Sequence, residues 1–251
     1  MHLSDAQIRE KIGSVRVWYH KIPLRPGIVT PGTCDPAGTL PFLDLPADCR
    51  GLRALDLGTR DGYFAFELER RGAEVLAVDY MPRGETGFNV VAEVLGSRVE
   101  YLQENIYNLT PEKIGTFDVV LFLGLLYHLP DPVQALKIVR GLCHDRMCLE
   151  THAIDNAVLL LDGTAVPLRE LSPLLPEIPL MQFYPGRSLV DDPTNYWGPN
   201  LKCLEGMLRE CKFAVRSHTL YGNRAVLNCR TAEDPELDYL HAIARGLRPK
   251  A

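Results

Sequence analysis

The fold is decided by Arg53-Ala-Leu-Asp-Leu-Gly-Thr-Arg-Asp-Gly62 and by a second apolar run that ends at Asp79. The first stretch predicts a strand, a glycine-bearing turn and a helix, and the second predicts a strand that ends in a carboxylate. Doubly wound sheets bind nucleoside-bearing ligands at the carboxyl ends of such strands. Gly58 would let the backbone approach a ligand, Gly62 would form the turn, and Asp79 would accept two hydrogen bonds from a ribose.

Length and composition indicate one globular domain rather than a membrane or secreted protein. The 251 residues are 46% hydrophobic and 24% charged, which is ordinary for a chain with a full core. No apolar run approaches the roughly 18 residues that cross a bilayer, and the N-terminal residues lack the pattern of a signal peptide. We therefore expect a cytoplasmic protein with no membrane partner.

Cysteine and charge usage give two further expectations. The seven cysteines are odd in number and form no C-x-x-C pair, so we expect reduced thiols rather than disulfides. The formal net charge of −5 argues against a nucleic-acid partner, since phosphate binding usually shows as a basic excess. The start of the chain is nevertheless basic, at Arg9, Lys11, Arg16, His20, Lys21 and Arg25.

The order of the predicted elements indicates an α/β fold. Strands alternate with helices through the core, which predicts a parallel sheet, and they are expected at 53–57, 74–79, 98–102, 117–123 and 146–151. Helices are expected at about 5–13, 62–71, from Asp131, at 201–211 and at 235–245. Two more strands, 213–220 and 223–230, surround a Tyr-Gly turn and predict a hairpin. The predicted fold is a doubly wound, mostly parallel seven-stranded sheet that is Rossmann-like and has a terminal antiparallel hairpin.

We predict a single domain over residues 1–251. Proline-rich stretches before and after the core exclude long helices and strands, and we interpret them as segments laid over it. The parts are an N-terminal helix and collar (1–50), a cofactor-binding core (51–152), a substrate-facing insert (153–199), a helix and hairpin that complete the sheet (200–230) and a tail (231–251).

Several motifs resemble those of a known family. The pattern D-x-G-x-x-x-G at 56–62, with Asp79 about twenty residues later, resembles motif I of the class I S-adenosylmethionine-dependent methyltransferases. Over roughly residues 18–230 the chain is similar to the group related to the tRNA wobble-uridine carboxymethyltransferases. The stretches that carry this likeness are His20-Lys-Ile-Pro-Leu, Gly27-Ile-Val-Thr-Pro-Gly32, Phe122-Leu-Gly-Leu-Leu-Tyr-His128, Leu149-Glu-Thr151 and Thr194-Asn-Tyr-Trp-Gly-Pro-Asn200.

The resemblance implies S-adenosylmethionine as cofactor and S-adenosylhomocysteine as product. Asp56 and Gly58 would line the methionine end, and Gly124 would let the backbone pass under the sulfonium. The other expected contacts are Arg60 and Gly62 in the turn (Arg60 near the cofactor carboxylate), Asp79 at the ribose, Asn105 and Ile106 at the adenine, and Tyr127, whose counterpart touches the carboxylate of carboxy-S-adenosylmethionine in the related group.

Two departures from that group favour ordinary methyl transfer. The arginine expected before the aromatic-Pro motif is absent, because Pro193 stands near its place. The tryptophan-rich stretch expected before the first core strand is replaced by Thr33–Leu45. Both losses argue against use of the carboxylated cofactor and against tRNA binding.

Three ionisable side chains are candidates for acid and base catalysis. His128 lies in the loop after the fourth core strand, and Glu150 and His152 share one face at the end of the fifth. Either histidine could instead be structural. For the substrate wall we predict His20, Tyr184, Tyr196 and Trp197, although the aromatic residues also suit packing of the insert. No metal site is expected at Cys143, His144, Cys148 and His152, because they have no usual ligand spacing; whether a divalent metal assists at the acceptor site stays open.

The sequence therefore predicts an S-adenosylmethionine-dependent methyltransferase that acts on oxygen or nitrogen of a small-molecule acceptor, of the kind met in secondary metabolism. One alternative is a tRNA-modifying methyl- or carboxymethyltransferase. Another, from a different class, is a non-catalytic cofactor-binding module. A dehydrogenase is disfavoured because G-x-G-x-x-G is absent. The oligomeric state stays open.

Overall fold

The computed structural model describes residues 3–244, which begin with a helix and a small hairpin. Helix α1 (Asp5–Ser14) starts at the predicted capping box, in which the Ser4 hydroxyl accepts from the Gln7 N–H and the Gln7 side chain accepts from the Ser4 N–H. The proline-rich collar then forms two short antiparallel strands, β1 (Pro23–Arg25) and β2 (Ile28–Val29).

The core follows as alternating strands and helices. Its strands are β3 (Arg53–Leu57), β4 (Glu74–Asp79), β5 (Glu100–Gln103), β6 (Phe117–Leu123) and β7 (Cys143–His152). Its helices are α2 (Tyr63–Arg70), α3 (Phe88–Leu95), α4 (Pro111–Ile114) and α5 (Pro132–Leu142). The alternation agrees with the sequence prediction, except that α3 and α4 were not predicted.

The insert contains short elements, as its prolines require. Strands β8 (Val158–Leu159) and β9 (Ala165–Val166) form a small hairpin that is followed by α6 (Leu168–Leu171). Strand β10 (Met181–Phe183) pairs antiparallel with β11 (Trp197–Pro199), so the two ends of the aromatic part of the insert are held together.

The chain then returns to the central sheet. Helix α7 (Leu201–Glu210) precedes the predicted hairpin, β12 (Phe213–Tyr221) and β13 (Arg224–Thr231). Helix α8 (Pro235–Ala244) follows, and the last residue of the predicted terminal helix, 245, lies outside the described residues. Among residues 3–244, none of the helices combines the length and apolarity needed to cross a bilayer.

The central sheet has the strand order β5-β4-β3-β6-β7-β13-β12. Strands β3 to β7 are parallel, and β13 runs antiparallel to both of its neighbours. This arrangement confirms the predicted seven-stranded, doubly wound sheet with a terminal hairpin.

Both faces of the sheet are covered, which explains the apolar run Val119–Leu123 of β6. Val120 and Phe122 point into a core shared with α5 and α7, and Val119 and Leu121 into a second core shared with α1, α2 and α3. A strand buried on both faces needs apolar side chains at every position rather than at alternate ones.

Strands β3 to β7 end at one edge of the sheet, which we call the carboxyl edge. Because β13 runs in the opposite direction, its first residue reaches the same edge: Arg224 is directly opposite His152, the last residue of β7. Strand β12 also ends there, since Tyr221 is paired with Arg224, so the carboxyl edge gathers the ends of six strands and the beginning of the seventh.

Candidate active site

The turn after β3 is shaped for close approach by a ligand. Gly58 has φ +76°, a conformation that favours glycine, and a side chain there would meet Leu125 at 3.3 Å. Arg60, where related turns often carry glycine, also has a positive φ of 49°. The turn forms without a glycine at this middle position. Its backbone is fixed at Gly58, whose N–H donates a hydrogen bond to the Val78 carbonyl.

Asp79 joins two loops at the end of β4. Its Oδ2 accepts a hydrogen bond from the Arg60 N–H at 2.8 Å, and its Oδ1 accepts one from the Met81 N–H at 3.0 Å. The carboxylate is 4% exposed. Each carboxylate oxygen has a second lone pair, so Asp79 keeps the capacity to accept from two hydroxyls while its orientation is fixed. The Arg60 side chain contacts the Met81 sulfur and the Tyr19 ring.

Asp56 is a buried carboxylate with one hydroxyl partner. The Thr59 hydroxyl donates to its Oδ2 at 2.7 Å. Burial, and to a lesser degree the nearby Asp79, raise the pKa of Asp56 to about 7. A cation placed beside it would stabilise its ionised form, which is the property expected of a carboxylate that receives an ammonium group.

The other predicted cofactor residues have different surroundings. Gly62 has φ +89°, and a Cβ there would lie 2.4 Å from the Phe66 ring, so packing alone requires this glycine. The exposed Asn105 accepts a hydrogen bond from the Tyr107 N–H, and Ile106 is 6% exposed within the core. Of these three, Asn105 has the freest side chain, and a role at the adenine stays a prediction for it and for Ile106.

An ion pair at the carboxyl edge was missed by the sequence analysis. Arg224 binds Glu150 through two nitrogens, with Nη2 to Oε2 at 2.6 Å, and its guanidinium lies over the Tyr127 ring at 4.8 Å. The Tyr221 hydroxyl also donates to Glu150 at 3.3 Å. Gly124 lies beneath this cluster, since a side chain there would be 3.8 Å from both charged groups.

The role predicted for Glu150 therefore changes. Both oxygens of this carboxylate already accept hydrogen bonds from the guanidinium or the phenol, so Glu150 orients its partners and proton transfer is not its best assignment. The hairpin could have revealed the partner, because a strand that returns antiparallel to β7 brings its first charged residue to the strand end.

His152 and Tyr184 form a second pair. Tyr184 is 2% exposed, and its hydroxyl lies 2.9 Å from Nε2 of His152, which is itself 6% exposed. Burial, followed by the charge of Arg224, lowers the pKa of His152 to about 4. The ring is therefore neutral at pH 7, and its Nε2 is already engaged by the tyrosine.

His128 lies one turn beyond the end of β6, next to Tyr127. Its Nδ1 is 3.0 Å from the Thr194 hydroxyl and 3.2 Å from the Thr194 carbonyl. Burial lowers the pKa of His128, and the contact with Thr194 and the charge of Asp192 oppose this shift. Nε2 of His128 forms no hydrogen bond within residues 3–244, so it retains a lone pair or a proton for another molecule.

The collar and the insert are attached around this edge. Asp61 is 1% exposed and accepts backbone hydrogen bonds from Tyr19 and His20 on Oδ2 and from Gly87 on Oδ1, each at 2.8 Å. One carboxylate thus ties the collar, the turn after β3 and the start of α3 together. His20, predicted to bind substrate, is 6% exposed, and its buried Nδ1 has no partner in the described part of the chain.

The predicted aromatic wall has mixed roles. The backbone N–H of Tyr196 donates to the Tyr127 carbonyl at 2.9 Å, and Trp197 donates from its indole to the Pro130 carbonyl at 3.2 Å. The Trp197 ring also packs on Phe183. Both residues are partly exposed, so they attach the insert to the core and still present ring surface.

In the part of the chain that the structure describes, no cluster of metal ligands marks this edge. Among residues 3–244 there is no group of three or more His, Cys, Asp or Glu side chains placed to hold a metal ion. Cys143 and His144 begin β7, at the opposite end from His152. Two surface cavities, of about 360 and 400 Å³, lie towards the amino ends of the parallel strands, beside Arg53 and beside Phe213.

Comparison with known proteins identifies the kind of domain that the core forms. A family model described as a methyltransferase domain matches residues 55–145, which run from β3 into β7. Residues 55–145 form a methyltransferase domain. The predicted membership of the class I methyltransferases, related to the carboxymethyltransferase group, is confirmed.

The similarity to one curated relative covers more residues than the family model does. The chain is 29% identical over 170 residues to tRNA U34 carboxymethyltransferase of Chromohalobacter salexigens, a match that covers 65% of this chain and 44% of that protein. It is 32% identical over 96 residues to ubiquinone biosynthesis O-methyltransferase of Acinetobacter baylyi, covering 37% of this chain and 39% of that protein. The chain thus spans less than half the length of these relatives.

Solved structures share the fold of the methyltransferase domain and its additions. The N-terminal domain of EvdMO1, solved with SAH bound, superposes with a TM-score of 0.63 at 20% identity and covers 93% of this chain and 98% of that one. The 1,6-didemethyltoxoflavin-N1-methyltransferase of Burkholderia thailandensis superposes with a TM-score of 0.53 at 18% identity, covering 73% of this chain and 72% of that one. At these identities the likeness concerns the fold.

Proposed function

We propose that this chain binds S-adenosylmethionine at the carboxyl edge and transfers its methyl group to oxygen or nitrogen of a small-molecule acceptor. The observation that carries the proposal is the pair of buried carboxylates, Asp56 and Asp79, on either side of the positive-φ turn at Gly58. One suits an ammonium group, and the other suits a ribose diol. The family match of residues 55–145 and the shared fold support the same conclusion.

The cofactor supplies a methyl group bound to a positively charged sulfur, which takes the bonding electron pair when the methyl group leaves. The protein has to align the acceptor with that methyl group and to remove the acceptor's proton. Tyr127, His128 and Gly124 come from the loop after β6, and His152 and Glu150 from the end of β7. We expect these residues to lie between the bound cofactor and the acceptor.

His128 is the better base of the two histidines. Both rings are neutral at pH 7 because burial lowers the pKa of each. Nε2 of His152 is occupied by Tyr184, and a pKa of about 4 makes that ring a weak base. Within residues 3–244, His128 has a partner on Nδ1 and none on Nε2.

The enclosure of the edge favours a small acceptor. The Thr39 hydroxyl lies 3.1 Å from the Tyr221 hydroxyl, and Phe42 stacks on the Tyr221 ring at 5.2 Å, so the collar rests on the terminal hairpin. The insert closes the other side through Tyr196 and Trp197. With a net charge of −5, the chain also lacks a general basic excess for nucleic acid.

An acceptor screen tests the proposal. Labelled S-adenosylmethionine is incubated with panels of phenols, amines and carboxylic acids, and with transfer RNA, and both labelled product and S-adenosylhomocysteine are measured. The proposal predicts transfer to at least one small-molecule class. In the same assay, His128→Ala should lose about 10²–10⁴ in turnover with unchanged cofactor affinity, and His152→Ala less than about tenfold. Loss of turnover in neither variant would remove the base assignment.

Carboxymethyl transfer is the second candidate, because Arg224 lies over Tyr127 at the methyl side of the edge. A guanidinium there could receive a carboxylated cofactor. Its two hydrogen bonds to Glu150, however, already neutralise it, so such a cofactor would have to displace Glu150. Competition binding of S-adenosylmethionine and its carboxylated form distinguishes the candidates, and a clear preference for the carboxylated form would reverse our order. A non-catalytic module would bind cofactor and show no transfer in the screen.

A further inference from the structure

A chain of hydrogen bonds in the insert reaches His128. The Thr194 hydroxyl lies 3.0 Å from Nδ1 of His128 and 2.7 Å from Oδ1 of Asp192. Oδ1 of Asp192 also accepts the backbone N–H of Thr194 at 2.9 Å, and the Thr194 carbonyl lies 3.2 Å from the same Nδ1. The hydroxyl and the carbonyl of Thr194 therefore contact one nitrogen of the candidate base, and Asp192 holds the hydroxyl from its other side.

The direction of these hydrogen bonds follows from a proton count. A hydroxyl has one proton, and an ionised carboxylate only accepts. The bonds from Thr194 keep the pKa of Asp192 below its ordinary value, so this carboxylate is ionised at neutral pH. The Thr194 proton therefore points to Asp192, and its oxygen offers a lone pair to His128. The Thr194 carbonyl is also only an acceptor, so Nδ1 of His128 has to carry the hydrogen.

The backbone holds Asp192 in this place. Val190 and Asp191, immediately before it, have φ values of 48° and 55°, which a β-branched valine rarely adopts. The turn is fixed by hydrogen bonds from the Asp192 N–H and from the Asn195 side chain to the Leu189 carbonyl, at 3.1 and 3.0 Å. Unfavourable backbone conformations persist where the surroundings over-determine them, and they cluster at functional sites.

We propose that Asp192 and Thr194 are positioning residues that hold neutral His128 in the tautomer with hydrogen on Nδ1, leaving the Nε2 lone pair to take the acceptor's proton. This inference rests on the proposed methyl transfer. As the acceptor atom bonds to the methyl carbon, its proton moves to Nε2 of His128, and the carbon–sulfur electron pair stays on sulfur. The imidazolium then keeps its Nδ1–H bond to Thr194, and the Asp192 carboxylate opposes its positive charge.

His152 provides an internal comparison. Its Nε2 faces a tyrosine hydroxyl, which can donate or accept, so nothing in that pair fixes the tautomer. The described structure thus imposes one protonation pattern on His128 and none on His152.

The tautomer is measured directly by nitrogen-15 NMR of the full chain labelled at histidine, with His128→Gln to assign the signal. Above the pKa of His128 we expect a pyrrole-type signal for Nδ1 and a pyridine-type signal for Nε2. The reverse pattern would overturn the inference whether or not the protein transfers methyl groups, because this readout needs no acceptor.

Variants then link the tautomer to turnover on the best acceptor of the screen. Thr194→Val keeps the side-chain shape and removes one acceptor of the Nδ1 hydrogen. The ratio of the Nδ1–H form to the Nε2–H form of His128 should fall by about fivefold, the effect of one lost hydrogen bond. The kcat should fall by about the same factor, with unchanged KM for the cofactor. Asp192→Ala should reduce kcat at least as much, and Thr194→Ser should behave as wild type. Suppose that wild type shows the expected tautomer but that Thr194→Val and Asp192→Ala keep the wild-type kcat. That result would overturn the positioning role and leave the proposed methyl transfer intact.

Discussion

Replacing Asp61 by Asn should destabilise the fold and loosen the collar. The buried carboxylate accepts three backbone hydrogen bonds at 2.8 Å, two on Oδ2 and one on Oδ1. An asparagine oxygen can still accept hydrogen bonds from the N–H groups of Tyr19 and His20. The asparagine NH₂ group then faces the Gly87 N–H, and two donors cannot form a hydrogen bond. One unsatisfied buried N–H costs about 1–3 kcal/mol, and loss of the charge weakens the other two bonds. We therefore expect the free energy of unfolding to fall by about 3 kcal/mol.

The measurement is urea unfolding with linear extrapolation, supported by calorimetry. For a chain of this size the loss corresponds to a fall in Tm of about 6–12 °C. Asp162→Asn is the matched control, because Asp162 also accepts a backbone N–H, from Thr164 at 2.9 Å, but is exposed. Trypsin cleavage at Lys21, beside the anchored segment, should accelerate in Asp61→Asn. A change in stability below about 0.5 kcal/mol with unchanged cleavage would refute the reasoning.

Three further predictions concern the turn and the carboxyl edge. Gly62→Ala should lower the free energy of unfolding in urea by about 3 kcal/mol, because it combines a positive φ with a clash against Phe66. The control Gly27→Ala, at φ +76° in open space, should lower it by only about 1 kcal/mol. Asp56 holds a proton up to about pH 7 in the folded state but loses it near pH 3.8 in the unfolded chain. The free energy of unfolding that Asp56 contributes should therefore decline as the pH rises between these two values, by up to about 1.4 kcal/mol per pH unit. A curve of Asp56→Asn with the same slope would contradict this assignment. Arg224→Met should cost about 3 kcal/mol by leaving Glu150 buried and unpaired, and adding Glu150→Gln should recover more than half of it; additive losses would show that the pair is not coupled.

The sequence predicted the parts of the structure that depend on local pattern. The βα alternation, the capping box at Ser4 and the terminal hairpin rest on short-range spacing, and the structure has all three. Strand β6 was predictable because burial on both faces requires an almost continuous apolar run, which its sequence shows from Val119 to Leu123. Helix α3 was not predicted, although Phe88, Val91 and Ala92 are buried, because its eight residues lie between glycines and carry no capping side chain.

Contacts between distant residues could not be predicted in the same way. Glu150 and Arg224 are 74 residues apart, and Asp61 is more than 40 residues from Tyr19 and His20. A single carboxylate in a sequence does not reveal whether it will face solvent, a guanidinium or three backbone N–H groups. Those outcomes depend on which loops the sheet brings together. The same reason separates His128 from His152, since only the insert decides which nitrogen of each ring is engaged.

Calorimetric titration with S-adenosylhomocysteine tests the central claim, that the carboxyl edge binds this cofactor, most directly. Wild type should bind it saturably and should not bind NAD. Asp79→Ala should weaken binding by about 5- to 150-fold, the scale of 1–3 kcal/mol for hydrogen bonds to a charged group, and the exposed Asp162→Asn should leave binding unchanged. No saturable binding by wild type, or equal affinities for wild type and Asp79→Ala, would contradict the account.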